Sequence, residues 1–233
     1  MRLTEIVDTK YKSKERPSRF DIDAMRKEKE RMLDKPDQRD DGGWGAYAAV
    51  DTDPNDPFIA KKKYHVPMQD LNKDAYYVYI KTIADNGLAK SNPYFPRVYN
   101  VEIEKDSSGN AQPKFNMEKL ALSSSLDREA LLGMGDRMFN RFEYIFPSNT
   151  PPTDRELRYT ISHGMSQIIK HSAFDRAKDP QLEEALRLIK KILLDSKGAF
   201  VVDIHAANYM IRSTPHGPQL VLTDPIADMQ TRG

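Results

Sequence analysis

Cysteine is absent from this chain of 233 residues. Its absence excludes disulfide bridges, thiolate metal sites and cysteine nucleophiles. Long apolar runs are also missing, since none approaches the roughly 18 residues that a membrane-spanning helix requires. The first residues lack the apolar centre of a secretory signal. We therefore expect a cytoplasmic protein that has no membrane partner.

The chain also lacks an excess of either positive or negative charge. Lysine and arginine number 36, aspartate and glutamate number 35, and the net charge is +1. Such a balance gives no overall attraction to nucleic acid. Basic residues nevertheless outnumber acidic ones between positions 10 and 40. Because runs of charge are usually solvated, residues 1–40 are predicted to form a basic, partly helical arm, with docking to an acidic partner as the alternative.

Residues 41–120 show the patterns of a small antiparallel sheet with one helix. Apolar and polar residues alternate in the strand candidates, and clusters of proline, aspartate, asparagine and glycine separate them. One stretch instead repeats its apolar residues every three or four positions, which is typical of a helix. The predicted elements are a hairpin within 41–63, the helix at 70–86 and two strands at 97–104 and 113–117.

Residues 121–233 are predicted to be mainly helical, because two long stretches have the amphipathic periodicity of helices. The predicted elements are helices at 154–170 and 181–194 and a hairpin at 209–223. The sequence thus predicts an α+β fold of two lobes, 41–120 and 121–233, joined near residues 118–125. A cleft between two lobes is a usual place for a ligand.

The C-terminal quarter carries acidic and amide side chains that suit phosphoryl transfer. That reaction depends on charge neutralisation and positioning, and magnesium favours carboxylate and amide oxygens. Asp203 and Asn208 have the D-x-x-x-x-N spacing of a kinase catalytic loop, and a hairpin then leads to Asp224. The order of helix, Asp-loop-Asn, hairpin and Asp is more specific than any one of its parts.

A glycine-rich segment and a lysine-bearing strand in the first half extend the pattern. The segment reads G-x-G-x-x-A-x-V, and its Gly43 and Gly45 would let backbone amides approach phosphates. Lys61 ends the apolar strand that follows and is the preferred phosphate-binding lysine. Lys62 faces the opposite side of the strand and is the alternative, because it also fits an A-x-K pattern.

This order of parts resembles the protein-kinase superfamily, and more closely the early serine/threonine protein kinases of T-seven-like bacteriophages. The similarity spans roughly residues 41–228 and is most specific in the D-x-H-x-x-N segment and in Thr223-Asp224-Pro225. The D-x-H-x-x-N form is also similar to that of aminoglycoside and choline phosphotransferases. The resemblance implies a two-lobed, protein-kinase-like fold.

The resemblance also implies roles for the matching residues of the second half. Asp203 would orient the substrate hydroxyl or accept its proton, and Asn208 and Asp224 would hold magnesium. In kinases a helix glutamate pairs with the strand lysine, but the helix predicted here has no glutamate. Asp70 or Asp74 is therefore the expected partner of that lysine.

An ATP site in the first half follows from the same resemblance. Gly43 and Gly45 would cover the phosphates, which the strand lysine would contact. Met117 would line the adenine pocket, and the backbone near Glu118 and Leu120 would bond the adenine edge. ATP and magnesium are thus the expected cofactors.

We expect an ATP- and magnesium-dependent kinase that phosphorylates serine or threonine of host proteins during phage infection, and also itself within the serines at 123–125. Two alternatives remain open. A small-molecule phosphotransferase is favoured by the D-x-H-x-x-N form. A catalytically silent protein that binds and inhibits a host target is favoured by Val201 and Val202 and by Pro225 and Ile226, which stand where kinases have His-Arg and Phe-Gly.

Overall fold

The computed structural model describes residues 48–64, 68, 70–105, 107–140, 142 and 151–229. Within them, antiparallel sheets and four α-helices form a mixed α+β fold, which confirms the class predicted from the sequence. The predicted basic arm at 1–40 and the segment that contains Gly43 and Gly45 lie outside the described residues. No helix in the described part is long and apolar enough to cross a membrane.

The first sheet consists of β1 (Ala48–Asp53), β2 (Asp56–Tyr64), β3 (Val98–Lys105) and β4 (Ala111–Glu118). These strands are antiparallel and lie in the order β1-β2-β4-β3. The turn between β1 and β2 is stabilised by the N–H of Asn55, which donates to the Asp53 carboxylate at 2.9 Å. The predicted hairpin is confirmed, and its strands extend beyond the apolar runs because charged residues occupy its exposed face.

Helix α1 (Ala75–Asp85) packs on this sheet and begins five residues later than predicted. The Asp74 carboxylate accepts the N–H of Tyr77 at 2.6 Å and caps the helix there. The preceding Leu71–Lys73 segment forms a separate 3-10 helix. Gly87, whose φ of 60° is left-handed, follows the end of the helix as predicted.

Five further strands follow: β5 (Ala121–Leu122), β6 (Phe200–Val202), β7 (Tyr209–Thr214), β8 (Gly217–Leu222) and β9 (Ile226–Asp228). β5, β7 and β8 form a second antiparallel sheet, whereas β6 pairs with β9. The chain therefore leaves the first sheet at Glu118 and joins the second at Ala121. The sequence does not predict the β6–β9 pair, since each strand has only three residues.

The remaining helices are α2 (Arg128–Met138), α3 (Asp154–His171) and α4 (Pro180–Asp195). Helices α3 and α4 match the predicted ranges to within one residue at each end. Thr153 and Glu156 form a capping box at the start of α3. Asp179 caps α4, and Pro180 occupies its first turn. Strong start signals therefore accompany both of these predicted helices.

Among the four described α-helices, α2 is the one that the sequence fails to predict. Gly133 and Gly135 lower its intrinsic helix propensity. Gly135 serves packing, because a Cβ atom at this position would come within 2.1 Å of the Phe142 ring. Burial of Leu131 and Met134 then supplies the tertiary contacts that most helices in proteins require.

Side chains from both sheets and all four helices belong to one buried cluster. A polar contact also joins the two sheets. Arg212 of β7 donates from Nε to Glu118 Oε2 at 2.8 Å and from Nη2 to Glu118 Oε1. The same guanidinium donates to the carbonyls of Pro93 at 2.9 Å and Phe95 at 3.0 Å. Both partners are thus hydrogen-bonded where they are nearly buried.

Candidate functional site

Asp203, Asn208 and Asp224 lie together where the loop between β6 and β7 meets the segment between β8 and β9. Asn208 Nδ2 donates to the Asp203 carboxylate oxygen Oδ2 at 3.1 Å and to the Asp203 carbonyl at 2.7 Å. The backbone N–H of Asp224 donates to the Asn208 carbonyl at 3.0 Å. The structure therefore brings together the three residues of the C-terminal motif.

The β6–β9 pair holds the two acidic segments side by side. Val202 at the end of β6 pairs with Ile226 at the start of β9. Asp203 follows the first strand, and its N–H donates to the Pro225 carbonyl at 2.9 Å. Asp224 lies one residue before Pro225. The spacing of the two aspartates is thus set by main-chain contacts.

The Asp224 carboxylate lies in a crowded and acidic recess, although 37% of its side chain is exposed. Burial raises its pKa above the ordinary value of 3.8, and the negative charges of Asp203 and Asp74 add to this rise. Lys62 opposes it, with Nζ at 3.5 Å from Asp224 Oδ2. A divalent cation would relieve the remaining repulsion among these carboxylates.

The structure places Lys62, and not the preferred Lys61, beside Asp224. Lys62 stands opposite Phe115 of β4, so it shares the sheet face that carries the core. Lys61 points to the other face, where its Nζ lies 2.9 Å from the Asp53 carboxylate and 42% of its side chain is exposed. This geometry therefore favours Lys62 over Lys61 as the candidate phosphate-binding lysine. Three consecutive lysines leave the inward position ambiguous until the strand register is known.

Tyr76 of α1 makes the second close contact of Lys62, and the sequence does not single it out as a site residue. Lys62 Nζ lies 3.2 Å from the centroid of the Tyr76 ring, within the range of cation–π attraction. The two acids predicted to pair with the lysine are bound elsewhere. Asp74 accepts the Tyr64 hydroxyl at 2.7 Å, and Asp70 pairs with the lysine three residues after it at 3.6 Å.

An apolar strip extends from Lys62 along the same face of the sheet. Val50 stands opposite Lys62, and Ala60 stands opposite Met117. Because directly opposed residues on paired strands share a face, these three apolar side chains lie on the side from which Lys62 reaches Asp224. Val50 is exposed, whereas Met117 is buried. The strip could contact the flat face of a purine ring.

Two of the backbone N–H groups near the end of β4 are already used within the sheet. The Glu118 N–H donates to the Arg97 carbonyl at 3.0 Å, and the Lys119 N–H donates to the Phe58 carbonyl at 2.8 Å. Leu120 follows these contacts along the chain. Of the positions predicted to bond the adenine edge, Leu120 is therefore the better N–H donor.

His205 lies beside Asp203 in the loop after β6. The N–H of Ala207 donates to His205 Nδ1 at 3.3 Å, which assigns the ring proton to Nε2 in the neutral tautomer. His205 Nε2 is 3.8 Å from Asp203 Oδ2. The imidazole thus presents a positive or donor edge toward the carboxylate that Asn208 also contacts.

The three serines predicted as sites of self-phosphorylation differ in accessibility. Ser123 is buried and donates its hydroxyl to the Ala206 carbonyl at 2.7 Å. Ser124 and Ser125 are exposed. A phosphate could therefore be added at the latter two without opening the fold.

The donor set around Asp224 fits magnesium. Asp203 and Asp224 supply carboxylates. Asn208 supplies an amide oxygen, and the nitrogen of the same amide group donates to Asp203. Magnesium is commonly bound by one or two carboxylates, and phosphate oxygens and waters complete its octahedron. No group of three or more histidine, aspartate or glutamate residues in the described part is arranged to hold a metal ion. A magnesium site here would therefore depend on phosphate oxygens.

A separate opening of about 400 Å³ lies beside the start of α1, and it is lined by Met68, Asp70, Lys73, Asp74 and Asp228. Of the residues predicted to bind ATP or magnesium, none that the structure describes lines it. Asp228 accepts the N–H of Ala75 at 3.0 Å. This bond ties the strand that follows Asp224 to the helix that carries Tyr76.

Comparison with known proteins assigns no family to the chain. A scan against protein-family models found no match, and a search of the curated proteins found no significant similarity. The candidate function is therefore argued from the side-chain geometry.

Proposed function

We propose that this protein is an ATP- and magnesium-dependent phosphotransferase with a two-lobed, protein-kinase-like fold. The observation that carries the proposal is the approach of Lys62 to Asp224 at 3.5 Å, next to Asp203 and Asn208. Phosphoryl transfer needs a cation at the phosphates, oxygen ligands for magnesium and a carboxylate at the attacking hydroxyl. These four side chains meet all three needs.

Each side chain has one task in the proposed reaction. Lys62 would bind an oxygen of the nonterminal phosphates, while Asp224 and the Asn208 amide oxygen would hold magnesium. Asp203 orients the substrate hydroxyl and accepts its proton as the phosphoryl group is transferred. Bound magnesium supplies charge neutralisation at the phosphates.

The first sheet is proposed to bind the nucleoside. Its apolar strip of Val50, Ala60 and Met117 would contact the adenine face, and the Leu120 N–H would bond its edge. Gly43 and Gly45, which precede β1, are proposed to cover the phosphates, since glycine lets backbone amides approach closely.

We infer that the acceptors are serine or threonine hydroxyls of host proteins in the cytoplasm of a phage-infected cell. The similarity of the D-x-H-x-x-N and T-D-P segments to the phage kinases supports this substrate class. The Asp203 side chain is 33% exposed, and its neighbour His205 is more so. A hydroxyl on a large substrate can therefore approach the proposed base.

The direct test incubates the purified full chain with labelled ATP, magnesium and a bacterial lysate. We expect label on the chain itself or on lysate proteins. Asp203→Ala should lower this transfer by about 100-fold or more, since a positioned base contributes about 10²–10⁴. The intact mass of the chain after incubation with ATP then reports self-phosphorylation. The Ser124→Ala variant tests whether Ser124 is the residue that receives the phosphate. Equal transfer by Asp203→Ala and the wild type would overturn the proposal.

A small-molecule phosphotransferase is the second candidate, and one observation favours it. Only Pro225 separates Asp224 from β9, which pairs at once with β6. The described residues after the proposed metal ligand, 225–229, are thus held beside β6 and form no long loop for a peptide. Label on small metabolites alone would support this candidate. ATP binding without any transfer would instead support the silent binding protein.

A further inference from the structure

Lys62 is held between one carboxylate and one aromatic ring. Its Nζ lies 3.5 Å from Asp224 Oδ2 and 3.2 Å from the centroid of the Tyr76 ring. Only 18% of the Lys62 side chain is exposed. Attraction between an ammonium group and a ring face is stronger in such a partly dehydrated position than on an open surface.

The Tyr76 ring is fixed by its neighbours in the core. It packs edge-to-face on Phe115, with ring centroids 5.4 Å apart, and tilts against Tyr64 at 6.4 Å. Its hydroxyl donates to the Met117 sulfur at 3.2 Å. Burial raises the pKa of the Tyr76 phenol well above its usual value, and the charge of Asp224 raises it further. The ring is therefore a rigid, neutral surface.

The acidic groups at the two ends of α1 are bound to other partners. Asp74 accepts the Tyr64 hydroxyl at 2.7 Å and the Tyr77 N–H at 2.6 Å. Asp85, at the far end, pairs with Lys81 at 2.7 Å. The helix sequence between them has no glutamate. The helix therefore meets Lys62 with an aromatic face.

We propose that Tyr76 is the positioning residue for Lys62 and takes the place of a helix carboxylate. The inference rests on the proposed function, in which Lys62 binds nucleotide phosphates. A carboxylate would compete with the phosphates for the lysine, whereas a neutral ring leaves its charge available to them. The contact between Lys62 and the Tyr76 ring does not involve Asp224, so it would remain if Asp224 held a metal ion. The phosphate-binding lysine is thus held in place without an ion pair to α1.

Matched substitutions at position 76 test this role in the full chain. Tyr76→Phe keeps the ring and removes only the hydroxyl, whereas Tyr76→Leu removes the ring. We expect the dissociation constant of magnesium-ADP to stay within about 2-fold in the first and to rise about 5- to 30-fold in the second. The KM for ATP should rise in parallel, with a smaller change in kcat. No rise in Tyr76→Leu, or the same rise in both variants, would overturn the role.

Introducing Tyr76→Leu into a Lys62→Met background tests whether Tyr76 acts by positioning Lys62 or only by packing in the core. If the ring acts through the lysine, Tyr76→Leu should weaken magnesium-ADP binding no further in that background. An equal loss in both backgrounds would mean that Tyr76 acts on the nucleotide site by packing alone. Thermal unfolding of each variant checks the fold, and Tyr76→Met replaces Tyr76→Leu if the latter does not fold.

The wild-type chain distinguishes failure of this role from failure of the proposed function. If it binds no magnesium-ADP and transfers no phosphate, both proposals fall. If it binds and transfers, but Tyr76→Leu retains full nucleotide affinity, only the role of Tyr76 falls.

Discussion

Lys61 and Lys62 have identical side chains and adjacent positions, yet the sheet gives them opposite surroundings. Lys61 pairs with Asp53 on the exposed face. Lys62 reaches Asp224 and the Tyr76 ring on the inner face. The two lysines are therefore matched controls for one another.

We expect Lys62→Met to lower phosphoryl transfer by about 100-fold or more, because it removes a preorganised charge at the proposed phosphate site. Lys61→Met should change transfer by less than about 3-fold, since an exposed ion pair contributes little. Steady-state rates at varied ATP concentration measure both effects. Losses of similar size in the two variants would contradict the assignment.

The order of helix, Asp-loop-Asn, hairpin and Asp predicted that Asp203, Asn208 and Asp224 belong to one site. The structure places these residues together, because the loop and hairpin between them are local structures that a sequence pattern encodes. Spacing could not choose between the lysines, since the choice depends on the register of β2 against β4. The sequence also did not indicate a functional role for Tyr76. Its position in the apolar stripe of a helix predicts a core residue and nothing more. Its contact with Lys62 arises from packing between α1 and the sheet.

Among the secondary-structure elements, α2 contains two glycines that differ in whether their surroundings leave room for a Cβ atom. A Cβ at Gly135 would overlap the Phe142 ring, whereas a Cβ at Gly133 would meet only the end of the Arg137 side chain at 3.7 Å. Both positions lie inside the same helix. They therefore separate packing from helix propensity.

Gly135→Ala is expected to lower the free energy of unfolding by about 1–3 kcal/mol, as overpacking does. Gly133→Ala should raise it by about 0.5–1 kcal/mol through helix propensity. Urea unfolding followed by circular dichroism measures both changes. A stabilising Gly135→Ala variant would show that the Phe142 ring can move away at little cost.

Elements with strong local signals were predictable, and those set by distant contacts were not. The amphipathic stripes predicted α3 and α4, and the structure shows that a capping box at Thr153 and Glu156 and a cap at Asp179 stabilise the starts of these helices. Helix α2 contains Gly133 and Gly135, of which only Gly135 is required by packing, and the two glycines weaken its local signal. The β6–β9 pair joins segments separated by more than twenty positions, which no short pattern encodes.

At the scale of the whole molecule, Glu118 and Arg212 join the first sheet to the second. The guanidinium makes two hydrogen bonds to the carboxylate and two to backbone carbonyls. Sequence patterns predicted a joint between two lobes near residues 118–125, and the chain passes from the first sheet to the second within this range. The long-range pair itself could not be predicted, because its partners are far apart in the chain.

Arg212→Met is expected to lower the free energy of unfolding by about 3–5 kcal/mol, because it leaves Glu118 charged, nearly buried and without its cation. The double variant Glu118→Gln/Arg212→Met should recover part of this loss, since the amide oxygen can still accept the Arg97 N–H that Glu118 now accepts at 2.8 Å. Chemical unfolding of the two variants tests this coupling. A double variant less stable than Arg212→Met would contradict it.

Main-chain hydrogen bonds join the two acidic segments. The N–H of Asp203 donates to the Pro225 carbonyl, and the N–H of Asp224 donates to the Asn208 carbonyl. A neutral amide at position 203 leaves this scaffold intact, because the bonds do not involve the carboxylate that is replaced. Under the proposed chemistry, an Asp203→Asn protein would still bind the nucleotide and the acceptor substrate. It would not transfer the phosphoryl group, because it lacks the carboxylate that accepts the hydroxyl proton. It would therefore serve as bait for isolating the natural substrate from a cell lysate.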